Sequence, residues 1–270
     1  MNKIASKIIK SLNVRSLYQP KADSHKGENG KVLIIGGNER FHGSPIFAAK
    51  IASRIVDLVY FCSTPGNNDL VREMKKELSD FITVERDEVI NWVSKVDSVL
   101  VGPGMDVTEE TRILVNTLLK QFPKQKFILD ADALRVLDKK FLTTNCVVTP
   151  HAKEFEALFE IPALPEKVFE MAKKYNCVVV LKGQKDYVSD WSKLMVNETG
   201  NQGMSKGGTG DVLAGLITAL AAKNNLFLAA SAGVFINGLA GDSLKEKVSY
   251  YYNASDLINE IPYVLKELTE

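Results

Sequence analysis

Short apolar runs alternate with amphipathic stretches over most of the chain. The first clear strand is predicted at Val32–Ile35, and apolar residues at helical spacing predict a helix over Phe47–Val56. Further apolar strands are predicted at Val59–Cys62, Asp97–Val101, Phe127–Leu129, Cys146–Thr149 and Cys177–Leu181, with helices between them at Asp69–Leu78, Glu109–Lys120, Lys153–Phe159 and Glu166–Tyr175. Short strands that are apolar on both faces favour an α/β fold, with a mostly parallel central sheet and helices on both faces.

Two regions depart from this alternation. Asp186–Val188 and Leu194–Val196 are short strands joined by a polar turn, which predicts an antiparallel hairpin. The chain then becomes mainly helical, with helices predicted at Asp211–Ala222, Leu226–Gly241 and Ala254–Leu268. Pro262 is expected to kink or interrupt the last helix. Because no linker or repeat is visible, we expect one domain over residues 1–270.

Composition and charge narrow the class of protein. The 270 residues are 45% hydrophobic and 25% charged, as in an ordinary soluble globular protein, and the net charge of +1 favours neither nucleic acid nor a membrane surface. Three scattered cysteines form no metal-binding pattern and suit a reducing compartment. Residues 1–14 form an amphipathic helix pattern broken by lysines, which is not a signal peptide. We therefore expect a cytoplasmic protein.

The stretch Asn201–Gly215 holds the clearest candidate chemistry. Four glycines precede Asp211, and an apolar helical pattern follows it at once. Glycines leave backbone N–H groups free to face an anion, and a helix N-terminus adds partial positive charge. The amides would hold phosphate oxygens, and Asp211 would accept a proton from the group being phosphorylated. The alternative is that Asp211 only caps the helix, and spacing alone gives the two interpretations equal weight.

Polar and small residues follow five of the predicted strands. They are Gly36-Gly37-Asn38, Gly102-Pro103-Gly104, Asp130-Ala131-Asp132, Pro150-His151 and Lys182-Gly183-Gln184. In a doubly wound sheet these strand ends share one edge, where ligands bind. Each has an alternative: the glycines could form tight turns, Asp130, Asp132 and His151 could cap helices, and Lys182 could be solvated. Taken together, a phosphate-handling cleft explains them better.

The sequence contains no Walker A motif and no protein-kinase motif set. Phosphate contacts are therefore expected from the loop Lys206–Gly210. Phosphoryl transfer generally uses a metal ion to share the phosphate charge. Because no dense carboxylate cluster is visible in the sequence, Mg²⁺ would bind mainly through the nucleotide phosphates, with no protein side chain assigned to it.

The motif Gly207-Gly208-Thr209-Gly210-Asp211 and the residues after it resemble the signature of the ribokinase-like superfamily. More narrowly, the chain resembles the NAD(P)H-hydrate dehydratases in motifs spread in order through most of its length. These are His25–Gly37, Phe41–Pro45, Gly102–Met105, Leu129–Leu134, Val147–Phe155, Val179–Gly183, Asn197–Gly215 and Asn237–Asp242. Ordered matches of this kind are far more specific than one glycine-rich motif.

The resemblance implies a three-layer sandwich and a repair reaction. The substrate would be the hydrated, 6-hydroxy form of NADH or NADPH. ADP, or less favourably ATP, would phosphorylate the hydroxyl with Mg²⁺ present and Asp211 as base, and loss of phosphate would restore the dihydronicotinamide. The resemblance also implies a homo-oligomer, in which a tetramer is common. About thirty residues precede the first strand, too few for an epimerase domain, so a separate epimerase is expected.

The family pattern also assigns residues. It places Ser44, Gly104, His151 and Asp211 on the hydrated cofactor. It places Lys182, Gly183, Gln184, Lys185, Asp186 and Gly210 on the adenine nucleotide. The backbone of Lys206, Gly207, Gly208 and Thr209 would form the anion hole.

Three positions depart from the family pattern, and two other functions compete with the dehydratase. Ser44 replaces a usual Ala, Lys153 a common Gly, and Asp186 a frequent Thr. A carboxylate at position 186 is unfavourable near a nucleotide unless it meets the ribose hydroxyls or adenine and not the phosphates. The nearest alternative function is a ribokinase-like kinase for hydroxymethylpyrimidine, thiazole or pyridoxal. The other is a nucleotide-binding regulator without catalysis, against which the intact loop and Asp211 argue.

Overall fold

The computed structural model describes residues 7–9, 14–74 and 79–270. Its strands, numbered in chain order, are β1 (Lys7–Ile8), β2 (Lys31–Ile35), β3 (Leu58–Cys62), β4 (Ile82–Val84), β5 (Ser98–Val101), β6 (Lys126–Leu129), β7 (Cys146–Val148), β8 (Val178–Leu181), β9 (Asp186–Ser189) and β10 (Leu194–Asn197). Its α-helices are α1 (Gly43–Ala52), α2 (Pro65–Met74), α3 (Val89–Val93), α4 (Glu109–Gln121), α5 (Asp132–Val136), α6 (Ala152–Phe159), α7 (Pro165–Tyr175), α8 (Thr209–Lys223), α9 (Leu226–Val248) and α10 (Ala254–Thr269).

These strands form one sheet in the order β1-β10-β9-β8-β7-β6-β5-β2-β3-β4. Strands β2 to β8 run parallel to one another, and β9 is antiparallel to both β8 and β10. The predicted α/β class, the mostly parallel sheet and the hairpin are therefore confirmed. The carboxyl ends of β2, β5, β6, β7 and β8 share one edge, where the polar strand ends were predicted to meet.

Side chains of each central strand alternate between two apolar cores. Val32 and Ile34 of β2 pack in the core that includes residues of helices α1, α8, α9 and α10. Leu33 and Ile35 pack in the opposite core, with helices α3 to α7. The sheet thus lies between two helical layers, which confirms the predicted three-layer sandwich.

Helix α8 is buried on almost every side, because it lies between the sheet and its neighbouring helices. At Gly215 a Cβ atom would lie 2.5 Å from Ala48 Cα, so glycine allows helices α1 and α8 to approach closely. Helix α9 is the one helix of the described residues that is long and apolar enough to cross a membrane, but most of that stretch is buried inside the fold. It is a core helix in this structure.

Several predicted boundaries are wrong. Helix α1 begins at Gly43 and ends at Ala52, since Pro45 is accommodated in a first turn. Helix α9 continues past Gly241, which makes room for the side chain of Met204 and does not end the helix. Helix α10 runs unbroken through Pro262, because its buried face holds it on the core.

Two short strands were not predicted. β4 is short and carries an exposed Ile82, so its apolar signal is weak. β1 lies inside the predicted N-terminal helix pattern, which is wrong there because Lys7–Ile8 pairs with β10. Residues 1–6 and 10–13 of that pattern lie outside the described residues. So does the end of the helix predicted at Asp69–Leu78, whose described part is α2.

Candidate functional site

The glycine-rich loop enters helix α8 in a conformation that glycine permits. Gly208 is the N-cap residue with φ +92°, and a Cβ atom there would lie 2.7 Å from Phe47 Cε2. The Thr209 hydroxyl donates to the carbonyls of Met204 and Lys206, at 2.6 and 2.9 Å. Among the described residues, the first-turn amides of Gly210 and Asp211 donate to no group. They are free to bind an anion.

Asp211 lies in the first turn of α8, three residues after the N-cap. It makes no capping hydrogen bond, so the capping interpretation is not observed. Burial, reinforced by the negative charge of Asp130, raises the pKa of Asp211 to about 7, although the Ser44 hydroxyl and the Lys182 ammonium oppose the rise. A carboxyl group with a pKa near neutral pH is well suited to accept a proton as a general base.

A buried ion pair lies beside Asp211, at the carboxyl ends of β6 and β8. Lys182 Nζ and Asp130 Oδ1 are 2.7 Å apart, and the Thr149 hydroxyl donates to the same oxygen at 2.7 Å. The alternatives considered for these residues are therefore wrong. Asp130 does not cap α5, because the N-cap residue of that helix is Ala131 and no side chain caps it. The Lys182 side chain is mostly buried and is therefore not solvated.

A cavity of about 820 Å³ opens next to this ion pair, between the strand ends and helix α9. Its volume is in the range of ordinary small-molecule and cofactor sites. The lining includes most of the predicted nucleotide segment together with the start of α8: Lys182, Gly183, Gln184, Asp186, Thr209 and Gly210. Asn237, Gly238 and Asp242 of α9 close the opposite wall. The sequence analysis noted Asn237–Asp242 only as a motif of the resemblance and assigned these α9 residues no role.

The Asp186 carboxylate forms hydrogen bonds within its own turn. Oδ1 accepts from the Gly183 amide at 3.1 Å, and Oδ2 accepts from Asn197 Nδ2 at 3.0 Å. Burial raises the pKa of Asp186 despite these bonds. The carboxylate therefore closes the turn between β8 and β9. Lys185 pairs instead with Glu198 at 2.6 Å, and its side chain does not line the cavity.

Ser44 and Gly104 lie together on the other side of Asp211. A Cβ atom at Gly104, whose φ is +68°, would be 3.4 Å from Ser44 Cβ and 2.9 Å from Phe41 Cβ. The Ser44 hydroxyl in turn hydrogen-bonds Asp211. The structure thus places Ser44, Gly104 and Asp211 next to one another, outside the lining of the large cavity.

His151 is not part of that group. Its ring Nδ1 caps helix α6 by accepting from the Glu154 amide at 3.2 Å, and the capping alternative is therefore correct. The side chain is half exposed and lines the large cavity beside Lys182, to which its backbone is bridged in parallel register. Of the predicted substrate residues, it alone lines the large cavity.

The Lys206 side chain turns away from the loop amides. Its ammonium donates to the carbonyls of Tyr250 and Tyr252, the latter at 2.7 Å, and lies over the Tyr252 ring. Lys206 can therefore offer only its backbone to a bound anion. The described residues contain no group of three or more His, Cys, Asp or Glu side chains that could hold a metal ion.

Two features of the site were missed at the sequence level. Asp130 was noted only as one of the polar residues that follow predicted strands, and Thr149 was placed inside the predicted strand Cys146–Thr149. The signal that could have found them is their position: each directly follows an apolar strand of a parallel sheet, at the edge where ligands bind.

Comparisons with known proteins agree with this architecture. The profile of the NAD(P)H-hydrate dehydratase family matches residues 32–263. The ADP-dependent (S)-NAD(P)H-hydrate dehydratase of Nitrosopumilus maritimus is 36% identical over 91% of this chain and 92% of its own. That of Cenarchaeum symbiosum is 32% identical over 97% and 98%.

Other relatives are longer or known from structure. The chain spans about half the length of the first curated relatives it matches; for example, it is 40% identical to the bifunctional NAD(P)H-hydrate repair enzyme of Methanocaldococcus jannaschii, covering 94% of this chain and 52% of that protein. The ADP/ATP-dependent NAD(P)H-hydrate dehydratase of Bacillus subtilis, crystallised with ATP and Mg²⁺, shares the fold with a TM-score of 0.83 over 99% of both chains, at 23% identity. The family match and the full-length relatives together establish that this chain belongs to the NAD(P)H-hydrate dehydratase family.

Proposed function

We propose that this protein uses an adenine nucleotide to dehydrate the 6-hydroxy form of NADH or NADPH and so restores the dihydronicotinamide. The observation that carries the proposal is Asp211, a carboxyl group with a pKa of about 7. It stands in the first turn of a helix whose amides are free, between a nucleotide-sized cavity and the Ser44–Gly104 group. The two reactants would approach it from opposite sides.

The first step is a phosphoryl transfer. Asp211 takes the proton of the substrate hydroxyl, and the hydroxyl oxygen forms a bond to the terminal phosphorus as the bond from that phosphorus to the nucleotide oxygen breaks. The nucleotide leaves with one phosphate fewer. Free amides at a helix N-terminus stabilise the charge that develops on the transferred group.

The second step is an elimination. The bond between ring carbon C6 and the phosphate oxygen breaks, the bonding electrons leave with the phosphate, and a proton leaves the neighbouring ring carbon. The ring double bond forms again, and inorganic phosphate is released. Phosphorylation is needed because hydroxide is a poor leaving group and phosphate a far better one.

The site residues divide accordingly. Ser44, Gly104 and Asp211 would contact the hydrated cofactor, with His151 at the boundary between the two reactants. Lys182 to Asp186 and Gly210 would bind the nucleotide, and the backbone of Lys206 to Thr209 would hold its terminal phosphate. Mg²⁺ would be held largely by the phosphates and would neutralise part of their charge. We favour ADP over ATP because the two full-length archaeal relatives are named ADP-dependent.

The cellular setting is proposed from the sequence pattern and the family. The enzyme would work in the cytoplasm as a homo-oligomer. An epimerase would convert the other hydrate isomer into its substrate, and the relatives named as bifunctional repair enzymes support a functional link between two such activities.

The test follows the absorbance of the dihydronicotinamide in the near ultraviolet. Hydrated NADH or hydrated NADPH is mixed with the protein, Mg²⁺ and either ADP or ATP, and Asp211→Asn serves as the control. We expect absorbance to rise with one nucleotide while an equal amount of phosphate is released. A flat trace with both nucleotides from folded protein would overturn the proposal. A stable phosphorylated product from a hydroxymethylpyrimidine, thiazole or pyridoxal substrate would favour the kinase.

A further inference from the structure

The buried ion pair between Asp130 and Lys182 is costly for the fold. Asp130 is only 2% exposed, and the Lys182 side chain is mostly buried. Removing two charges from water carries a desolvation penalty that their attraction does not always repay, and a well-packed apolar pair is often as stable. A pair kept at this position, beside a general base, calls for a role in the site as well as in folding.

The ion pair is rigidly held at both ends. The Thr149 hydroxyl donates to the same Asp130 oxygen as Lys182, so this oxygen accepts from two directions. The Lys182 amide donates to the Pro150 carbonyl at 2.8 Å, which fixes its backbone against the end of β7. The ammonium of Lys182 therefore has a defined position at the edge of the cavity.

That position is next to the first turn of α8. A Cβ atom at Gly210 would lie 3.7 Å from Lys182 Nζ, and Gly210 directly precedes Asp211. The ammonium thus shares the end of the helix with the free amides of Gly210 and Asp211. Burial alone would lower the pKa of Lys182, but the negative charges of Asp130, Glu154 and Asp211 outweigh burial and raise it. The side chain is therefore a fixed cation.

We propose that Asp130 is a positioning residue, whose carboxylate holds the Lys182 ammonium at the N-terminus of α8 so that it faces the phosphoryl group during transfer. This inference rests on the proposed function. Negative charge spreads over the oxygens of a phosphoryl group in transit, and a cation already in place stabilises it without reorganisation. Without Asp130 the lysine would be free to turn toward Asp211 and bind the carboxylate that must accept the proton.

The charges around Asp211 give the proposal a signature. The groups that face Asp211 are Asp130, Glu154, Lys182 and the Ser44 hydroxyl. Removing the negative charge of Asp130 should lower the pKa of Asp211, both by ending a repulsion and by freeing the lysine. Removing the positive charge of Lys182 should raise that pKa. Loss of the repulsion alone would lower the pKa of Asp211 equally with and without Lys182, so the part of the shift that requires Lys182 is the signature of positioning. An equal shift in the wild-type and Lys182→Met backgrounds would overturn the inference.

The first experiment is an NMR titration of the Asp211 carboxyl in ligand-free protein carrying ¹³C-labelled aspartate, with the signal assigned through Asp211→Asn. We expect the midpoint to move to lower pH in Asp130→Asn and to higher pH in Lys182→Met. Lys182→Met leaves the buried Asp130 carboxylate without its partner, which can destabilise the fold. The double variant Asp130→Asn/Lys182→Met, which has neither buried charge, is therefore measured as well. An unmoved midpoint in folded Asp130→Asn overturns the inference, whether or not the wild-type protein turns over the hydrated cofactor.

The second experiment measures turnover with hydrated NADH. Asp130→Asn should lower kcat by about 10- to 100-fold, as is typical when a group that orients an active-site residue is lost. The double variant should be no slower than Lys182→Met if Asp130 acts through the lysine. If the wild type is active and folded Asp130→Asn keeps the wild-type kcat, the inference is overturned and the proposed function stands. If the wild type itself is inactive, the proposed function is overturned.

A matched control is available at the other end of the same helix. Lys126 is a second half-buried lysine, and its ammonium donates to the carbonyls of Ala221 and Asn224 at 2.7 and 2.9 Å. Lys126→Met removes an equal charge from the opposite end of α8. We expect this variant to unfold more easily but to keep the wild-type kcat and the wild-type midpoint of Asp211. A shifted Asp211 midpoint in Lys126→Met would mean that the loss of any lysine near α8 changes the pKa of Asp211, and would overturn the inference.

Discussion

The two sides of Asp211 are built differently. On the side of the large cavity, the loop of residues 199–208 is anchored: Asp242 accepts from the Gly200 amide and from Asn201, and Tyr252 donates to Asn201 at 2.7 Å. On the side of Ser44, where we propose that the hydrated cofactor binds, the segment of residues 38–44 carries a half-exposed Phe41 and ends in the Ser44 that reaches Asp211. We call these the anchored loop and the open segment.

The difference suits two different ligands. Phosphoryl transfer depends on precise placement of a small charged group, which a loop held by side-chain hydrogen bonds can supply. A dinucleotide is long, and much of it can lie over exposed side chains. Substitutions on the two sides should therefore differ in effect, and the largest effect is expected at Asp211, where the two sides meet.

Asp211→Asn should abolish turnover while both sides of the site keep their shape. Loss of a general base typically lowers the rate by about 10²–10⁴-fold. Because the amide has almost the same size, calorimetric affinity for the nucleotide should stay near the wild-type value. Turnover at the wild-type rate would show that Asp211 is not the base.

The same substitution should stabilise the fold at high pH. The folded-state pKa of Asp211 is raised from 3.8 to about 7, so the folded protein binds more protons than the unfolded chain between these values and loses stability as pH rises through that window. The full loss corresponds to about 4 kcal/mol. Denaturant unfolding should show Asp211→Asn to be more stable than wild type at pH 8, with a smaller advantage at pH 5. An equal advantage at both values would contradict the raised pKa.

Gly208→Val tests the conformation of the anchored loop. A β-branched residue disfavours φ +92°, and its Cβ would lie 2.9 Å from Ala254 Cβ as well as against Phe47. We expect a loss of about 2–4 kcal/mol in the free energy of unfolding and weaker nucleotide binding. Gly207→Val is the matched control, since a Cβ at Gly207 meets nothing within 4 Å. If Gly208→Val and Gly207→Val lose equal stability and equal nucleotide affinity, contacts at Gly208 do not explain the destabilisation.

Lys206→Met tests how far the anchored loop depends on its outer attachment. The exposed ammonium binds two carbonyls, so the loss should be about 1 kcal/mol, seen in unfolding and in a raised KM for the nucleotide. The KM for the hydrated cofactor should not change. Lys193→Met removes the same charge beside Phe227, far from the loop, and should leave both KM values as in wild type.

Arg40→Ala should have the smallest effect, because it lies on the open segment. Arg40 and Asp106 form an ion pair at 2.6 Å, but their side chains are 72% and 39% exposed. Such pairs contribute about 0–1 kcal/mol in water. Urea unfolding should therefore change little, and nucleotide affinity should not change at all. A large loss of nucleotide affinity would remove the distinction between the two sides.

The features that local sequence determines were predicted well. Apolar strands, the hairpin and the glycine-rich entry to α8 each depend on neighbouring residues, and they appear where the pattern places them. Boundaries were less accurate where packing decides them, as at Gly241 and Pro262. These outcomes reflect tertiary contacts that override local preference.

The charged part of the site could not be predicted in the same way. Asp130 and Lys182 are 52 positions apart, and only the order of β6, β7 and β8 in the sheet brings them together. The capping role of His151 could be weighed from sequence but not chosen, and the turn-closing role of Asp186 was not considered. The pKa of Asp211 depends on four surrounding groups from separate elements, which no local pattern reports.

The burial of α8 has a consequence for how loss of structure would be detected. Amide protons in a helix enclosed on almost every side exchange with solvent only when the surrounding core opens, whereas those near the exposed Tyr251 can exchange by local opening. Deuterium uptake by Val212–Leu216 should therefore follow the stability of the whole fold. Under mild heating or denaturant, the Asp211 carboxylate should be among the last groups to lose its surroundings, so that a molecule that remains folded also retains the candidate site.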